Sequence, residues 1–450
     1  MIRMTLAEAT ALLGINDVVE PVEFHGITID SRQLQRTNLF VAIPGERVDG
    51  HDFVEQAYQN GAAAALVTRR VDCAIPQLVV NDITEALGKI CGAWRQRFKL
   101  PLIAVTGSNG KTTLKNMIAS ILKAACFGKE NEVLATKGTL NNHLGLPLTL
   151  AGLNSQHRYA VIEMGMNHFG EIAYLTHLAK PTVAAINNAA CAHLEGVGDV
   201  AGVARAKAEI FQGLDNSGMA ILNRDDDFYA YWLKVIGPLS FLSFGLSPDA
   251  DVRATLHDTT ETQNLTLHTP RGDIDIRLPL LGKHNAINSL AATAATLAVG
   301  IPLSSIKTGL ETILPAPGRL QLHKLENGVN IIDDTYNANP FSLKAAVDTL
   351  ATFAGKKILV LGDMKELGTD AKSLHQTAGD IIRAAGINYL FTFGELSANT
   401  THAFGDGAYH FKEQTQLLDA LKPYLYNQTT ILVKGSRSMR MEKIIAGLVN

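Results

Sequence analysis

The chain has 450 residues, of which 46% are hydrophobic and 18% are charged, and its formal net charge at pH 7 is −3. A globular chain of this length is normally too long to fold around one hydrophobic core, so the length predicts about three domains. The small negative charge gives no basic field, which argues against nucleic acid or an anionic membrane as a partner.

Cysteine usage and the N-terminus indicate a reduced, cytoplasmic setting. No Cys-x-x-Cys spacing links the four cysteines, which disfavours a disulfide scaffold and a zinc site. They are Cys73, Cys91, Cys126 and Cys191. Residues 1–14 predict a short amphipathic helix ending at Gly14, and no segment has the apolar length of a signal peptide or membrane span. We therefore expect a cytoplasmic protein with no membrane insertion.

Residues 1–82 alternate short strands with helices, which predicts a small α/β domain. The segment Thr28–Arg32 precedes a strand at Leu39–Ile43, and a helix around Phe53–Asn60 leads into a strand at Ala63–Val67. Strands and helices in alternation favour parallel pairing.

Residues 83–314 predict a doubly wound parallel sheet with an antiparallel subsheet. A helix at Ile83–Phe98 and later helices separate buried strands at Leu102–Val105, Tyr159–Ile162, Val183–Ile186 and Met219–Leu222. From Val252 to Leu281 the polar and apolar residues alternate singly, which predicts the antiparallel strands. The alanine-rich stretch Ala286–Val299 predicts a helix.

Leu314–Gly318 is the clearest linker, because its two prolines and its glycine cannot continue a helix. Beyond it, residues 315–450 return to strand-helix alternation. The strands are predicted at Ile331–Asp333, Lys357–Leu361, Tyr389–Phe393 and Thr430–Val433, with helices such as Ser342–Phe353 and Leu374–Ala385 between them. The fold class is therefore α/β with three domains.

A glycine-rich loop follows the strand Leu102–Val105 and precedes a helix predicted to begin near Leu114. Such a loop can close backbone N–H groups around phosphate oxygens, with a lysine on the terminal phosphates and a hydroxyl on Mg²⁺. The nucleotide-binding candidates are Gly107, Ser108, Asn109, Gly110, Lys111, Thr112 and Thr113. Val105 stands where the usual loop has its first glycine, so the motif is shortened. The alternative is a strand-to-helix turn without a ligand.

Four side chains near the carboxyl edge of the central sheet are considered for a metal site. Glu163 ends a strand, and with Thr112 it suits Mg²⁺, although a solvated glutamate is the alternative. His193 follows the next strand and could equally be a satisfied loop residue. Lys207 lies on an alanine-rich helix, where a bare ammonium would be repelled by a cation.

Several amides and charged groups are candidates for substrate contacts. Asn141 and Asn142 suit phosphate or amide recognition, or they cap a helix. Asn285 and Asn288 share one helix face that suits adenine, or they form a capped helix start.

The third region places polar residues after two of its strands. Arg319 follows the linker, and Asp334 and Asn337 follow a strand, where they suit ribose or phosphate or form an Asx-rich turn. The segment Lys434–Arg437 follows another strand as a small cationic patch that suits a carboxylate.

Seven motifs then stand in a fixed order along the chain. They are the shortened phosphate loop, Asn141-Asn142, Glu163-Met-Gly, Ala192-His193-Leu-Glu-Gly, Ala206-Lys207, His284-Asn285 and Asp334-Thr-Tyr-Asn-Ala-Asn-Pro. This series resembles the Mur ligases, the ATP-dependent amide-forming enzymes of peptidoglycan synthesis. The segments Thr28–Arg32, Asp333–Pro340 and Lys434–Met441 look like the members that join D-alanyl-D-alanine to UDP-N-acetylmuramoyl-tripeptide.

The resemblance implies a UDP-substrate domain at 1–82, an ATP-binding domain at 83–314 and a Rossmann-like domain at 315–450. It implies that the tripeptide carboxylate attacks ATP to give an acyl phosphate, which the amine of D-alanyl-D-alanine then attacks. This is the last cytoplasmic step of precursor synthesis. A monomer is expected.

The resemblance also assigns residues. It implies that Lys207 is carbamylated and binds metal with Thr112, Glu163 and His193, and that Mg²⁺ is present, expected as two ions. Lys111, Lys207 and His193 take catalytic roles. Asn285, Asn288, Arg319, Asp334 and Asn337 contact ATP, while Thr28, Ser31, Arg32, Asn141 and Asn142 contact the UDP substrate.

Other activities remain open at this point. An Asp-Asn-Pro-Arg motif is absent, which counts against a diaminopimelate-adding member but leaves a lysine-adding one. The motif Asp334–Pro340 and the N-terminal region argue against a folylpolyglutamate synthetase. A P-loop kinase or ATPase would need only the central domain.

Overall fold

The structure is a computed structural model that describes residues 1–15, 21–45, 48–190, 194–257 and 262–449. Three α/β domains follow one another along the chain. Among the described residues, no helix is long and apolar enough to cross a membrane. The thiols of Cys73, Cys91 and Cys126 are free, and Cys191 lies outside the described residues.

The first domain contains a two-stranded ribbon and a four-stranded parallel sheet. Its elements are β1 Arg3–Thr5, α1 Leu6–Leu13, β2 Glu23–His25, β3 Ile27–Thr28, β4 Leu39–Val41, α2 Val54–Gln59, β5 Ala64–Val67 and β6 Gln77–Val79. The ribbon pairs β1 with β2, and the sheet runs β3-β4-β5-β6. The first helix begins at Leu6 because residues 3–5 form a strand and Thr5 caps the helix with Glu8. The predicted helix therefore covers only the second half of residues 1–14.

The central domain is a parallel sheet covered on both faces, as the sequence predicts. Its elements are α3 Ile83–Arg95, β7 Leu102–Thr106, α4 Lys111–Ala125, β8 Val133–Ala135, α5 Gly145–Ala151, β9 Tyr159–Glu163, α6 Glu171–Ala179, β10 Val183–Ile186, α7 Leu194–Val197, α8 Val200–Ala208, β11 Met219–Asn223, α9 Tyr229–Ile236, β12 Ser240–Phe244, β13 Arg253–His257, β14 Gln263–Thr269, β15 Gly272–Leu278, α10 Lys283–Ala298 and α11 Leu303–Glu311.

The six strands of this sheet run in the order β12-β11-β10-β7-β9-β8. Leu102 and Ala104 of β7 face one hydrophobic core, while Ile103 and Val105 face another. Side chains of a strand alternate between faces, so this division shows that β7 is buried on both sides. The strands β13-β14-β15 form the predicted antiparallel subsheet.

The third domain also has a six-stranded sheet with apolar cores on both faces. Its elements are β16 Gln321–Lys324, β17 Asn330–Asp334, α12 Pro340–Ala351, β18 Lys356–Gly362, α13 Ala371–Ala384, β19 Tyr389–Phe393, α14 Ala398–Phe404, β20 Ala408–Phe411, α15 Gln414–Leu421, β21 Thr429–Lys434 and α16 Glu442–Val449. The order is β16-β17-β21-β18-β19-β20. Only β16 pairs antiparallel, with β17.

One predicted boundary at the phosphate loop is wrong. Helix α4 begins at Lys111, three residues before Leu114. Gly110 takes the left-handed conformation, with φ +77°, and turns the chain directly into the helix. Lys111, Thr112 and Thr113 are therefore in the first turn, where their N–H groups face any bound anion. The domain boundaries at 82 and 314 stay predictions.

Candidate active site

The phosphate loop is held in a preformed shape by its own lysine. The Lys111 Nζ donates to the Gly107 carbonyl at 2.7 Å and to the Ser108 carbonyl at 3.3 Å. Burial lowers the pKa of Lys111, nearby Glu163 opposes this, and Arg319 adds a smaller lowering. The Lys111 amine therefore lies at the start of α4, beside the positive end of the helix dipole.

Asparagines from a neighbouring loop hold the loop's central residue, Asn109. The Asn187 and Asn188 Nδ2 atoms donate to the Asn109 carbonyl at 2.9 and 3.0 Å. The Asn109 N–H donates to the Asn188 Oδ1 at 2.9 Å. Strand β10 pairs beside β7, with Ile186 opposite Thr106, so Asn187 emerges next to the loop.

Glu163 presents a free carboxylate oxygen near the loop. It ends β9, is 1% exposed and accepts from the Asn141 Nδ2 at 2.7 Å through one oxygen. The other oxygen is buried and has no hydrogen-bond partner among the described residues. A buried carboxylate oxygen without a partner is costly unless a ligand or ion completes it. Glu163 therefore has the position and chemistry of a metal ligand.

Asn141 and Asn142 have different roles in the structure. Asn141 contacts Glu163, whereas the Asn142 Oδ1 accepts from the N–H groups of Leu144 and Gly145 at 3.2 and 2.9 Å. Asn142 therefore caps the start of α5, the helix-capping alternative.

Asn285 and Asn288 lie on α10 and are buried, with 5% and 3% exposure. The Asn288 Nδ2 donates to the Asn285 Oδ1 at 3.0 Å, and the Asn187 Nδ2 donates to the Asn288 Oδ1 at 2.7 Å. Both amides are thus tied to the loop network, and both also line the cavity described below.

The third domain contacts the phosphate loop directly. The Arg319 guanidinium donates to the Thr112 Oγ1 at 3.3 Å and lies 4.1 Å from the centre of the Tyr336 ring. The Asn339 Nδ2 donates to the Asn109 Oδ1 at 3.0 Å. Residues beyond the linker therefore complete the wall around the loop.

A buried ion pair lies in the part of the third domain that faces the phosphate loop. The Lys434 Nζ donates to the Asp334 Oδ2 at 2.5 Å and to the Asn337 carbonyl at 2.9 Å. Burial raises the pKa of Asp334, and the Lys434 charge opposes it. Burial and the same lysine lower the pKa of His284 to about 4, so His284 is neutral near pH 7. Lys434 is therefore engaged with Asp334, while Arg437 lies near Glu442, at 3.4 Å.

These groups face one cavity of about 700 Å³ between the central and third domains. A cavity of this size suits a nucleotide together with part of a second substrate. Its lining includes the predicted residues Ser108, Asn109, Gly110, Lys111, Thr112, Thr113, Asn141, Asn142, Glu163, Asn285, Asn288, Arg319, Asp334 and Asn337. Gly107 supports the loop through its carbonyl.

Lys207 is 1% exposed, at the end of α8. Burial, with a contribution from the charge of Lys111, lowers the pKa of Lys207 well below its ordinary value. Burial therefore favours the neutral amine over the ammonium. His193 lies outside the described residues. Within the described residues, no group of three or more His, Cys, Asp or Glu side chains is placed to hold a metal ion.

Thr28, Ser31 and Arg32 lie together in the first domain, apart from the cavity lining. The Ser31 Oγ donates to Gln56 at 3.1 Å, and Arg32 forms an ion pair with Asp30 at 2.9 Å. Arg32 extends into solvent, with 86% of its side chain exposed. A uridine site at these residues stays a prediction.

The sequence analysis assigned no contact to Asn187, Asn188 or Asn339. Asn187-Asn188 follows a buried strand, the same signal that drew attention to Glu163. Asn339 belongs to the motif after β17, but its contact to Asn109 depends on how the domains meet.

Comparison with known proteins gives matches along the whole chain. Residues 23–95 match the family model described as Mur ligase family, catalytic domain. Residues 105–296 match the Mur ligase middle domain, and residues 318–437 match the Mur ligase, glutamate ligase domain. The chain is 43% identical to the UDP-N-acetylmuramoyl-tripeptide–D-alanyl-D-alanine ligase of Escherichia coli K12, over 100% of this chain and 99% of the relative.

Solved structures have the same fold. A crystal structure of MurF from Acinetobacter baumannii superposes with a TM-score of 0.93 at 36% identity and covers 100% of this chain and 99% of its own. The MurF ligase of Thermotoga maritima in complex with ADP has a TM-score of 0.83 at 24% identity, with 94% and 97% covered. These matches confirm the three-domain α/β fold. The chain therefore belongs to the Mur ligase family.

Proposed function

We propose that this protein is an ATP-dependent ligase that joins D-alanyl-D-alanine to UDP-N-acetylmuramoyl-tripeptide. The observation that carries the proposal is the single cavity shared by the phosphate loop, Glu163 and the third-domain wall. Such a cavity can hold a nucleotide together with part of a second substrate. The full-length similarity to the E. coli ligase supports the choice of substrates.

A carboxylate and an amine do not condense unaided in water, so the carboxylate is first phosphorylated, which gives it a good leaving group. The tripeptide carboxylate attacks the γ-phosphorus of ATP, the bond to the bridging oxygen breaks and ADP leaves. The D-alanyl-D-alanine amine then attacks the acyl carbon, loses a proton and displaces phosphate. Lys111 and Arg319 are placed to bind the negative charge that develops on the transferred group.

The residues present fit Mg²⁺. Glu163 offers a buried carboxylate oxygen without a protein partner among the described residues, and Thr112 offers a hydroxyl in the first turn of α4. When bound, Mg²⁺ would screen the phosphate charges and orient the γ-phosphate. The presence of two Mg²⁺ ions and a metal-binding role for His193 rest on the family resemblance.

A carbamate on Lys207 is part of the proposal. A neutral amine can attack CO₂ and lose a proton, and the burial that lowers the pKa of Lys207 favours that neutral form. The product is an anion that suits a cation better than an ammonium does. Lys207→Ala should abolish ligation, and acetate or formate should restore part of it. Full activity of Lys207→Ala without any additive would contradict this role.

The central test measures phosphate release with ATP and each substrate omitted in turn. We expect release only when UDP-tripeptide and D-alanyl-D-alanine are both present. Release that ignores D-alanyl-D-alanine would refute the proposal, and a rate that depends on lysine instead would favour a lysine-adding ligase. Running the assay with diaminopimelate-containing and lysine-containing tripeptides identifies the third residue. A cytoplasmic monomer remains our expectation, and light scattering after size exclusion tests the oligomeric state.

A further inference from the structure

A chain of amide hydrogen bonds connects α10 to the phosphate loop. The Asn285 Nδ2 donates to the Leu281 carbonyl at 2.7 Å, and its Oδ1 accepts from Asn288 at 3.0 Å. The Asn288 Oδ1 accepts from the Asn187 Nδ2 at 2.7 Å, which also donates to the Asn109 carbonyl at 2.9 Å. Three side chains and two backbone carbonyls thus form one continuous path.

The two ends of this path fix its direction. A backbone carbonyl only accepts, so Asn285 must turn its nitrogen to Leu281, and Asn187 must turn its nitrogen to Asn109. Asn288 is left between an acceptor on one side and a donor on the other. If it turned over, its oxygen would face the Asn285 oxygen and its nitrogen would face the Asn187 nitrogen. The Asn288 amide therefore has one allowed orientation.

The fixed direction of these hydrogen bonds leaves one buried oxygen without a partner. The Asn187 Oδ1 is buried and takes no hydrogen bond from any residue that the structure describes. Asn187 itself is 1% exposed, so solvent does not replace the missing partner. Both of its hydrogens are committed to Asn109 and Asn288, so Asn187 fixes the direction from the side of the phosphate loop, as Asn285 does from α10.

Packing holds the same arrangement in place. A Cβ at Gly110 would lie 2.6 Å from the Asn288 Oδ1 and 2.7 Å from the Asn187 Nδ2. The two amides therefore lie directly against the backbone of the phosphate loop. Asn288 and Asn285 also line the cavity. The Asn288 amide therefore lies beside both the phosphate loop and the cavity.

We propose that Asn187 is a positioning residue that sets nucleobase selectivity through Asn288. Asn288 keeps one free donor and one free acceptor in a fixed order. That order matches adenine, whose exocyclic amine stands beside a ring acceptor. Guanine places an exocyclic oxygen beside a ring N–H, so it would need the reversed amide. The inference rests on the proposed use of ATP and goes further, because it names the residue that selects ATP over GTP.

The test is the ratio of kcat/KM with ATP to kcat/KM with GTP, measured by phosphate release with both peptide substrates. In Asn187→Asp the Asn288 amide has acceptors on both sides, so it no longer has one preferred orientation. We expect the ATP-to-GTP ratio to fall on the order of tenfold, the effect of one mispaired hydrogen bond. A general loss of stability would lower both values and leave the ratio unchanged.

Asn188→Asp is the matched control. Asn188 donates to the same Asn109 carbonyl, at 3.0 Å, and the structure gives it no bond to Asn288. The substitution introduces the same charge at the same carbonyl, so activity should fall with both nucleotides at an unchanged ratio. Should Asn187→Asp fail to fold, Asn187→Ser decides the question. Its hydroxyl is too short to reach Asn288, which is then held only from the side of Asn285, so the ratio should still fall, but by less.

The outcomes separate this inference from the proposed function. An unsubstituted protein that releases no phosphate from ATP with both peptide substrates would refute the proposed function. An active protein in which Asn187→Asp and Asn187→Ser keep the original ATP-to-GTP ratio would refute the role of Asn187 alone.

Discussion

Asn339 of the third domain donates a hydrogen bond to the Asn109 side chain of the phosphate loop, with its Nδ2 3.0 Å from the Asn109 Oδ1. The Asn339 Oδ1 simultaneously accepts from the Ser342 N–H at 2.8 Å and caps α12. One amide therefore joins the start of a helix in one domain to the phosphate loop of another. The position of the third domain and the shape of the loop are coupled through it.

Asn339→Ser removes this contact without removing the cap. Serine caps a helix about as well as asparagine does, but its side chain is too short to reach the Asn109 oxygen. We expect little change in thermal stability and a KM for ATP raised by about fivefold, since one hydrogen bond contributes about 1 kcal/mol. Small-angle scattering with an ATP analogue and the UDP substrate should show less compaction. An unchanged KM and unchanged scattering would show that the contact is incidental to closure.

Gly110→Ala should disrupt the loop for two reasons that a control separates. The left-handed φ of +77° costs about 1–2 kcal/mol for alanine, and the added Cβ lies 2.6 Å from the Asn288 Oδ1. Gly128→Ala carries the same strain at φ +78° with nothing within 4 Å. We expect both variants to unfold at lower urea, but only Gly110→Ala to lose ATP binding by at least tenfold. Equal binding by the two variants would contradict the contact with Asn288.

Asn141→Leu tests whether Asn141 orients Glu163 for a metal ion. The amide donates to Glu163 at 2.7 Å and leaves the other carboxylate oxygen free. Removal of a residue that orients a ligand typically weakens metal affinity by about tenfold or more. The Mg²⁺ concentration for half-maximal rate should rise accordingly. Asn142→Asp keeps the cap of α5 and should leave the Mg²⁺ requirement unchanged, and a rise in both variants would argue against a specific role.

The buried strands and the phosphate loop were predictable because their signals are local. Leu102–Val105 and Val183–Ile186 are short apolar runs, and the glycines with Lys111 follow at once in the sequence. The two roles of Asn141 and Asn142 were not separable, because both are amides in one polar loop. Only the position of Glu163 on the neighbouring strand β9 distinguishes them.

The roles of Asn187 and Asn339 depend on contacts between distant parts of the chain. Asn187 reaches Asn109 because β10 pairs with β7. The sequence of neither strand indicates which strands are neighbours in the sheet. Asn339 reaches Asn109 only through the arrangement of two domains. The contacts of both asparagines depend on how distant segments pack together. Hydrophobic periodicity indicates only whether each separate segment is a helix or a strand.

His284 should make the protein less stable in mild acid. Burial, with a contribution from Lys434, lowers the pKa of His284 to about 4 from its ordinary value near 6.5. Between these values the unfolded chain binds a proton that the folded protein does not, so stability falls as pH drops from 6.5 to 4 and is unaffected above 6.5. The full shift corresponds to about 3 kcal/mol, and partial exposure of the ring reduces this to on the order of 1–2 kcal/mol.

Urea unfolding of the unsubstituted protein and of His284→Gln at pH 7, 5.5 and 4 measures this contribution. Glutamine keeps hydrogen-bonding capacity but does not titrate, so the difference in unfolding free energy between the two proteins should shift in favour of His284→Gln as the pH falls. Other groups that titrate in this range affect both proteins and cancel in the difference. A difference that stays constant from pH 7 to pH 4 would mean that His284 protonates in the folded state as readily as in the unfolded chain.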